Sequence, residues 1–89
     1  MKIKYTKQAA KTIESYDKKT KILIRKRIHG LVKTTPEGDI KPIQGSKTEK
    51  RLRVGKYRVL YEYLEETQDD IKIKILMINK IDSRGDIYK

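Results

Sequence analysis

The chain has 89 residues, the length of one domain, and we expect a single domain over 1–89. A chain of this size buries roughly 60–65% of the surface that its unfolded form exposes, which favours an open groove or face over a deep enclosed site. It carries 23 Lys and Arg against 12 Asp and Glu, a formal charge of +11. Such a charge attracts polyanions, nucleic acid above all, although a basic surface can also serve solubility alone. The absence of Cys excludes disulfides and thiolate metal sites.

No apolar segment approaches the roughly 20 residues that span a bilayer. The start of the chain, MKIKYTKQAAK, has no apolar stretch long enough for a signal peptide. We therefore expect a cytoplasmic protein with no membrane partner.

The first third of the chain predicts one strand and two helices. Apolar residues and Lys alternate over residues 2–5, as in a strand. Thr6 is placed to cap a first helix, and Asp17 is placed to open a second one. The second helix has an apolar stripe: Ile24, Ile28, Leu31 and Val32. Pro36 and Gly38 are expected to end it, so the two helices should form a hairpin that packs on another layer.

From residue 48 the pattern changes to the period of strands. Residues 36–47 contain two Pro and two Gly and predict a loop. Two alternating runs follow, joined at Gly55-Lys56, where a tight hairpin turn belongs. Residues 65–70 predict a polar turn, and a third alternating run begins at Ile71. The predicted class is α+β in the order β-α-α-β-β-β, with a mainly antiparallel sheet that has one open basic face.

Alternation along these strands assigns their side chains to two faces. The apolar residues expected to point at the helical hairpin are Leu52, Val54, Val59, Tyr61, Ile73 and Ile75. Arg51, Arg53 and Arg58 then point the other way, onto a face that so short a chain cannot cover completely. A sheet face that carries guanidinium groups is suited to binding phosphates.

Two segments carry a family resemblance. The segment RLRVGKYRVLYEY at 51–63 resembles the central hairpin of the RelE/ParE toxin superfamily, and RGDIYK at 84–89 resembles its C-terminal motif. The resemblance covers the whole chain, including the element order and the loop before the basic strand. It implies the toxin of a toxin–antitoxin pair, with an acidic antitoxin as partner. RelE-like members cut messenger RNA in the ribosomal A site, whereas ParE-like members inhibit DNA gyrase and cut nothing, and both readings stay open.

The side chains limit the chemistry available for cutting RNA. Cleavage by the 2′-OH needs a base, positive charge on the phosphorane and a proton for the leaving oxygen. The one His, His29, lies within the second helix and is expected to be an ordinary helix residue. The acidic pairs Glu65-Glu66 and Asp69-Asp70 are expected to be solvated turn residues, so we predict no metal and no cofactor.

Arg, Lys and Tyr remain, and the resemblance assigns them to the site. The candidate catalytic residues are Arg51, Arg53, Arg58, Arg84 and Tyr88. The resemblance places Arg51 near the reacting phosphate, Arg58 on the developing charge, and Tyr88 on a base or in proton transfer. Arg53 is expected to contact phosphate or to support the sheet. Further contacts with nucleic acid are expected from Lys47, Lys56 and Lys80.

Structural roles compete with these assignments. The strand arginines also fit plain solvated positions, and Arg58 also fits an ion pair with Glu62. Many active relatives carry an extra basic residue or a His just before the terminal Arg, where this chain has Ile81-Asp82-Ser83. Asp82 would repel phosphate, which favours weak cleavage, binding of RNA alone, or another target.

Overall fold

The computed structural model describes residues 1–83. Within them the α+β class is confirmed, with two α-helices and five strands. The elements in chain order are β1 (Lys2–Tyr5), α1 (Lys7–Ser15), α2 (Lys18–His29), a 3-10 turn (Gly30–Val32), β2 (Asp39–Pro42), β3 (Lys50–Val54), β4 (Tyr57–Gln68) and β5 (Ile71–Ser83). Neither α-helix in this part of the chain is long and apolar enough to cross a membrane.

Both predicted helix caps are confirmed. The Thr6 hydroxyl accepts a hydrogen bond from the Ala9 amide at 3.2 Å, and the Asp17 carboxylate accepts one from the Thr20 amide at 3.2 Å. These bonds satisfy amides at the helix start that have no partner within the helix. The second helix ends at His29, earlier than Pro36 and Gly38 suggested, because the chain tightens into the 3-10 turn there.

The sheet contains one strand more than the sequence pattern predicted. Its order within residues 1–83 is β1-β5-β4-β3-β2, with β1 parallel to β5 and the other neighbours antiparallel. Strand β2 lies inside the segment 36–47 that was predicted as a loop. Pro42, which has no amide hydrogen to donate, is tolerated there because β2 is an edge strand and Pro42 is its last residue.

The two hairpin turns differ in how well the sequence placed them. The tight turn at Gly55-Lys56 is confirmed, and Gly55 has the positive φ of +59° that favours glycine. The predicted polar turn over 65–70 is wrong in extent, because β4 continues to Gln68. Only Asp69 and Asp70 turn, with φ of 48° and 65°. Residues 65–68 are exposed on both sides, so they show no alternation that would mark them as a strand.

The core lies between the helices and one face of the sheet. Its buried members are Ala9, Ile13, Ile24, Ile28, Leu31, Leu52, Val54, Val59, Tyr61, Leu76, Ile78 and Ile81. Burial raises the pKa of Tyr61 to about 12, with a smaller contribution from neighbouring Tyr63, so its ring packs here as a neutral phenol. The predicted core positions in β3 and β4 are confirmed.

The predicted orientation of Ile73 and Ile75 is wrong. In β5, Ile78 pairs with Tyr61 but Lys80 pairs with Leu60, so Asn79 is an extra residue in a bulge. The bulge reverses which residues face the helices. Ile73 pairs with Glu66 and Ile75 with Leu64, which places both on the face turned away from the helices.

Thr6 also ties α1 to this bulge, because its hydroxyl donates to the Asn79 carbonyl at 2.7 Å. We predict that Thr6→Ala lowers the free energy of unfolding by about 1–2 kcal/mol, since it removes both the cap and this hydrogen bond. Thr6→Ser keeps the hydroxyl and should lose much less. Urea denaturation followed by circular dichroism measures both, and equal losses in the two variants would contradict the assignment to the hydroxyl.

Candidate nucleic-acid interface

The face of the sheet turned away from the helices, here called the open face, carries a row of charges across four strands. Asp39 in β2 pairs in register with Arg53 in β3, Arg53 with Arg58 in β4, and Arg58 with Asp82 in β5. These four residues form what we call the arginine row. Residues that lie directly opposite in neighbouring strands share a face, so the four side chains emerge side by side.

Carboxylates at the two ends of the arginine row balance the central repulsion. Like charges directly opposite each other destabilise a sheet, as Arg53 and Arg58 would alone. Arg58 donates from Nε to Asp82 Oδ1 at 3.1 Å and from a terminal nitrogen to Asp82 Oδ2 at 3.0 Å. Arg53 Nε lies 4.0 Å from Asp39 Oδ2, which is an ion pair but too long for a hydrogen bond.

Asp82 therefore has a role that the sequence pattern did not reveal: it is the counter-ion of Arg58. The sequence suggested a pair of Arg58 with Glu62, and the structure shows one with Asp82 at 3.0 Å. The Glu62 carboxylate instead accepts a hydrogen bond from the Thr48 hydroxyl at 3.0 Å. The bidentate geometry of Arg58 with Asp82 is the geometry in which guanidinium also binds a phosphate.

A second row runs beside the first, and its members are Lys41, Arg51, Leu60 and Lys80. Together the two rows hold five cationic and two anionic side chains. Arg51 is only 9% exposed and donates to Asp39 Oδ1 at 3.3 Å. The Nε atoms of Arg51 and Arg53 are buried and have no hydrogen-bond partner within residues 1–83. A buried donor left unsatisfied costs about 1–3 kcal/mol, so holding these two guanidinium groups against the sheet has a cost in stability.

The remaining candidates are dispersed. Arg84 and Tyr88 lie outside the described residues. Lys80 is exposed on the open face, and Lys47 is exposed in the segment before β3. Lys56 leans towards the helices, with its Nζ 5.4 Å from the centre of the Tyr57 ring. The structure thus groups Lys80 with the arginines and separates Lys56 from them.

Asp39 and Lys41 are site residues that the sequence reasoning missed. The alternation of charged and apolar residues around Ile40 is a signal for a short strand, but neighbouring Pro and Gly residues obscured it. Within residues 1–83 no three metal-binding side chains come together. His29 lies in α2, as expected from its sequence context, and is exposed there.

The fold is similar to that of chains in two complexes of RelE with RelB. One is the RelE–RelB complex from Pyrococcus horikoshii OT3, with a TM-score of 0.67, 24% identity, and coverage of 94% of this chain and 94% of that chain. The other is the RelB–RelE antitoxin–toxin complex from Methanococcus jannaschii, with a TM-score of 0.58, 23% identity, and coverage of 94% and 93%. No family model and no curated protein matches the sequence. At this identity the likeness establishes a shared fold.

Asp39 is the counter-ion that keeps Arg51 buried, which makes it a test of the site's construction. We predict that Asp39→Asn lowers the free energy of unfolding by about 1–3 kcal/mol, because the guanidinium of Arg51 would lose its carboxylate. Glu66→Gln is the matched control, since it breaks an exposed pair with Lys4 and should cost within about 0.5 kcal/mol. Chemical denaturation measures both, and a harmless Asp39→Asn would contradict the role given to Asp39.

Proposed function

We propose that this chain is the toxin of a toxin–antitoxin pair and cleaves messenger RNA in translating ribosomes. The observation that carries the proposal is the arginine row on the open face. It occurs on a fold that is shared with chains of RelE–RelB complexes, in a protein of formal charge +11. Three arginines on one open face suit a polyanionic ligand, because each planar guanidinium can bind a phosphate through two hydrogen bonds.

In this proposal the RNA supplies its own nucleophile, the 2′-OH next to the cut phosphate. Arg58 and Arg51 stabilise the charge that develops on the phosphorane, and Arg53 contacts the same or a neighbouring phosphate. Arginine remains protonated and is unsuited to act as a base. On the sequence resemblance alone, proton transfer is assigned to Tyr88, and Arg84 is assigned to the same catalytic site. Lys47 and Lys80 add diffuse attraction for the strand.

One observation favours a second candidate, a relative that binds RNA and cleaves it poorly. The carboxylate of Asp82 occupies the two donors with which Arg58 would hold a phosphate. A phosphate that binds through these two donors must then displace Asp82. Asp82→Asn separates the two candidates, because it should accelerate cleavage if Asp82 blocks the site and slow it if Asp82 orients Arg58.

The proposed partner is an acidic antitoxin that covers the basic surface. Charge complementarity supports this choice, since a free protein of charge +11 repels itself and attracts anionic chains. Such partners are often disordered until they bind. We expect expression of this chain to arrest growth, and co-expression of a small acidic protein encoded beside it to relieve that arrest. Continued arrest would count against that partner.

Arg58→Ala tests the catalytic assignment. We predict that it reduces cleavage of translated messages about a hundredfold, because loss of one group that stabilises transition-state charge costs about 3 kcal/mol in activation free energy. Arg58→Lys keeps the charge but loses the planar fork, so it should recover only part of the rate. The measurement is the mapping of transcript ends by primer extension after induced expression.

Lys72→Ala is the matched control, because it removes one exposed positive charge from the end of β5 that lies far from the arginine row. It should cleave like the wild type, and circular dichroism checks that each variant folds. If the wild type leaves messages uncut but inhibits supercoiling by gyrase, a ParE-like inhibitor replaces the nuclease as the proposed function. Cleavage at the wild-type rate by Arg58→Ala would contradict the catalytic role assigned to Arg58.

A further inference from the structure

A groove opens beside helix α2, where β2 begins and β3 ends. Two of its side chains come from α2, Leu23 and Arg27, and two come from the arginine row, Asp39 and Arg53. Gly38, Val54 and Gly55 complete the lining. Arg53 belongs to both the arginine row and the groove. The groove therefore continues the open face around the end of the sheet towards helix α2.

The charges of the groove favour an anion. Arg27 is exposed and forms no ion pair within 4.0 Å in residues 1–83. Its charge helps to lower the pKa of nearby Glu37, but that carboxylate is bound to Lys33 Nζ at 2.9 Å. Arg53 has a buried Nε without a hydrogen-bond partner in that range, and its side chain is 36% exposed. The one carboxylate in the lining, Asp39, is already shared between Arg51 and Arg53. The groove therefore offers two guanidinium groups and one carboxylate that is already engaged.

The shape of the groove leaves room for an extended chain. A Cβ placed on Gly55 would meet nothing within 4 Å, so the groove is open at the hairpin turn. At Gly38, where φ is +127°, a Cβ would meet Leu52 Cδ1 at 2.6 Å, so the backbone there lies directly on the core. Leu23 is 43% exposed at the opposite wall and offers an apolar contact beside the two arginines.

We propose that this groove binds the phosphodiester backbone of single-stranded RNA, beyond the phosphate held by the arginine row. Arg27 and Arg53 hold one phosphate from two sides, and Leu23 contacts the adjoining ribose or base. The choice of RNA rests on the proposed function. Arg27 also lies in the last turn of α2, where positive charge complements the helix dipole, but Lys26 in the same turn serves that purpose equally.

Binding of fluorescent RNA to the wild type, Arg27→Ala and the control Lys72→Ala tests the groove. The probes are single-stranded oligomers of about two and about twelve nucleotides, since the one phosphodiester of a dinucleotide cannot occupy the arginine row and the groove at once. We expect Arg27→Ala to weaken binding of the longer oligomer about tenfold and to reduce the slope of log affinity against log salt by about 0.7. The short oligomer should bind all three proteins alike.

Several results would overturn the groove. They are no measurable binding of RNA, an effect of Arg27→Ala no larger than that of Lys72→Ala, equal weakening of both oligomers, or tighter binding of DNA of the same sequence. Arg27→Lys, which keeps the charge, should retain the salt slope. This assay measures binding and does not require cleavage. Messages that stay uncut in ribosomes would therefore refute the nuclease proposal, and the binding data would still test whether the groove holds RNA.

Discussion

The register of the β3–β4 hairpin is the constraint on which the candidate site depends. The two-residue turn at Gly55 and Lys56 sets Val54 opposite Tyr57. The same register sets Leu52 opposite Val59 in the core and Arg53 opposite Arg58 on the open face. Because successive side chains alternate between faces, a slip of one residue would bury guanidinium groups and expose the core. Core packing therefore also fixes the positions of the charges.

This register brings two like charges together, and the flanking strands make that arrangement tolerable. Asp39 arrives on the edge strand β2 and Asp82 arrives on β5, so each aspartate lies at one end of the arginine row. A phosphate that approaches the row must compete with these carboxylates. The two aspartates thus both hold the arginines in place and weaken the attraction of the row for a phosphate. Salt screens interactions between exposed charges, so the affinity of the arginine row for a phosphate should depend on ionic strength.

The sequence was most informative where one local rule acts alone. Thr6 and Asp17 identified the helix starts because a capping side chain needs only its own helix. Alternation placed Arg51, Arg53 and Arg58 on one face because no bulge interrupts β3 or the first half of β4. The same rule failed for Ile73 and Ile75, because the bulge at Asn79 in β5 reverses the pattern and has no signal in the residues themselves.

The contacts within the site could not be predicted, because they join residues far apart in the chain. Asp82 was expected to repel phosphate, yet its partner Arg58 lies 24 positions earlier and meets it only through strand pairing. Lys56 was expected to contact nucleic acid, and the structure places its Nζ 5.4 Å from the centre of the Tyr57 ring, a contact that the sequence did not predict. Asp39 was hidden in a segment rich in Pro and Gly whose strand exists only because β3 pairs with it.

Nuclear magnetic resonance of the arginine side chains tests the central claim, that the arginine row and the neighbouring Arg51 form the surface that binds RNA. In a titration of the labelled protein with single-stranded RNA, the Nε–Hε signals of Arg51, Arg53 and Arg58 should shift. Arg25 is an internal reference, because it pairs with Glu14 at 2.8 Å on the helical side, and its signal should change far less. Shifts at Arg25 as large as those at Arg53 and Arg58, or no shifts in the row at saturating RNA, would contradict the claim.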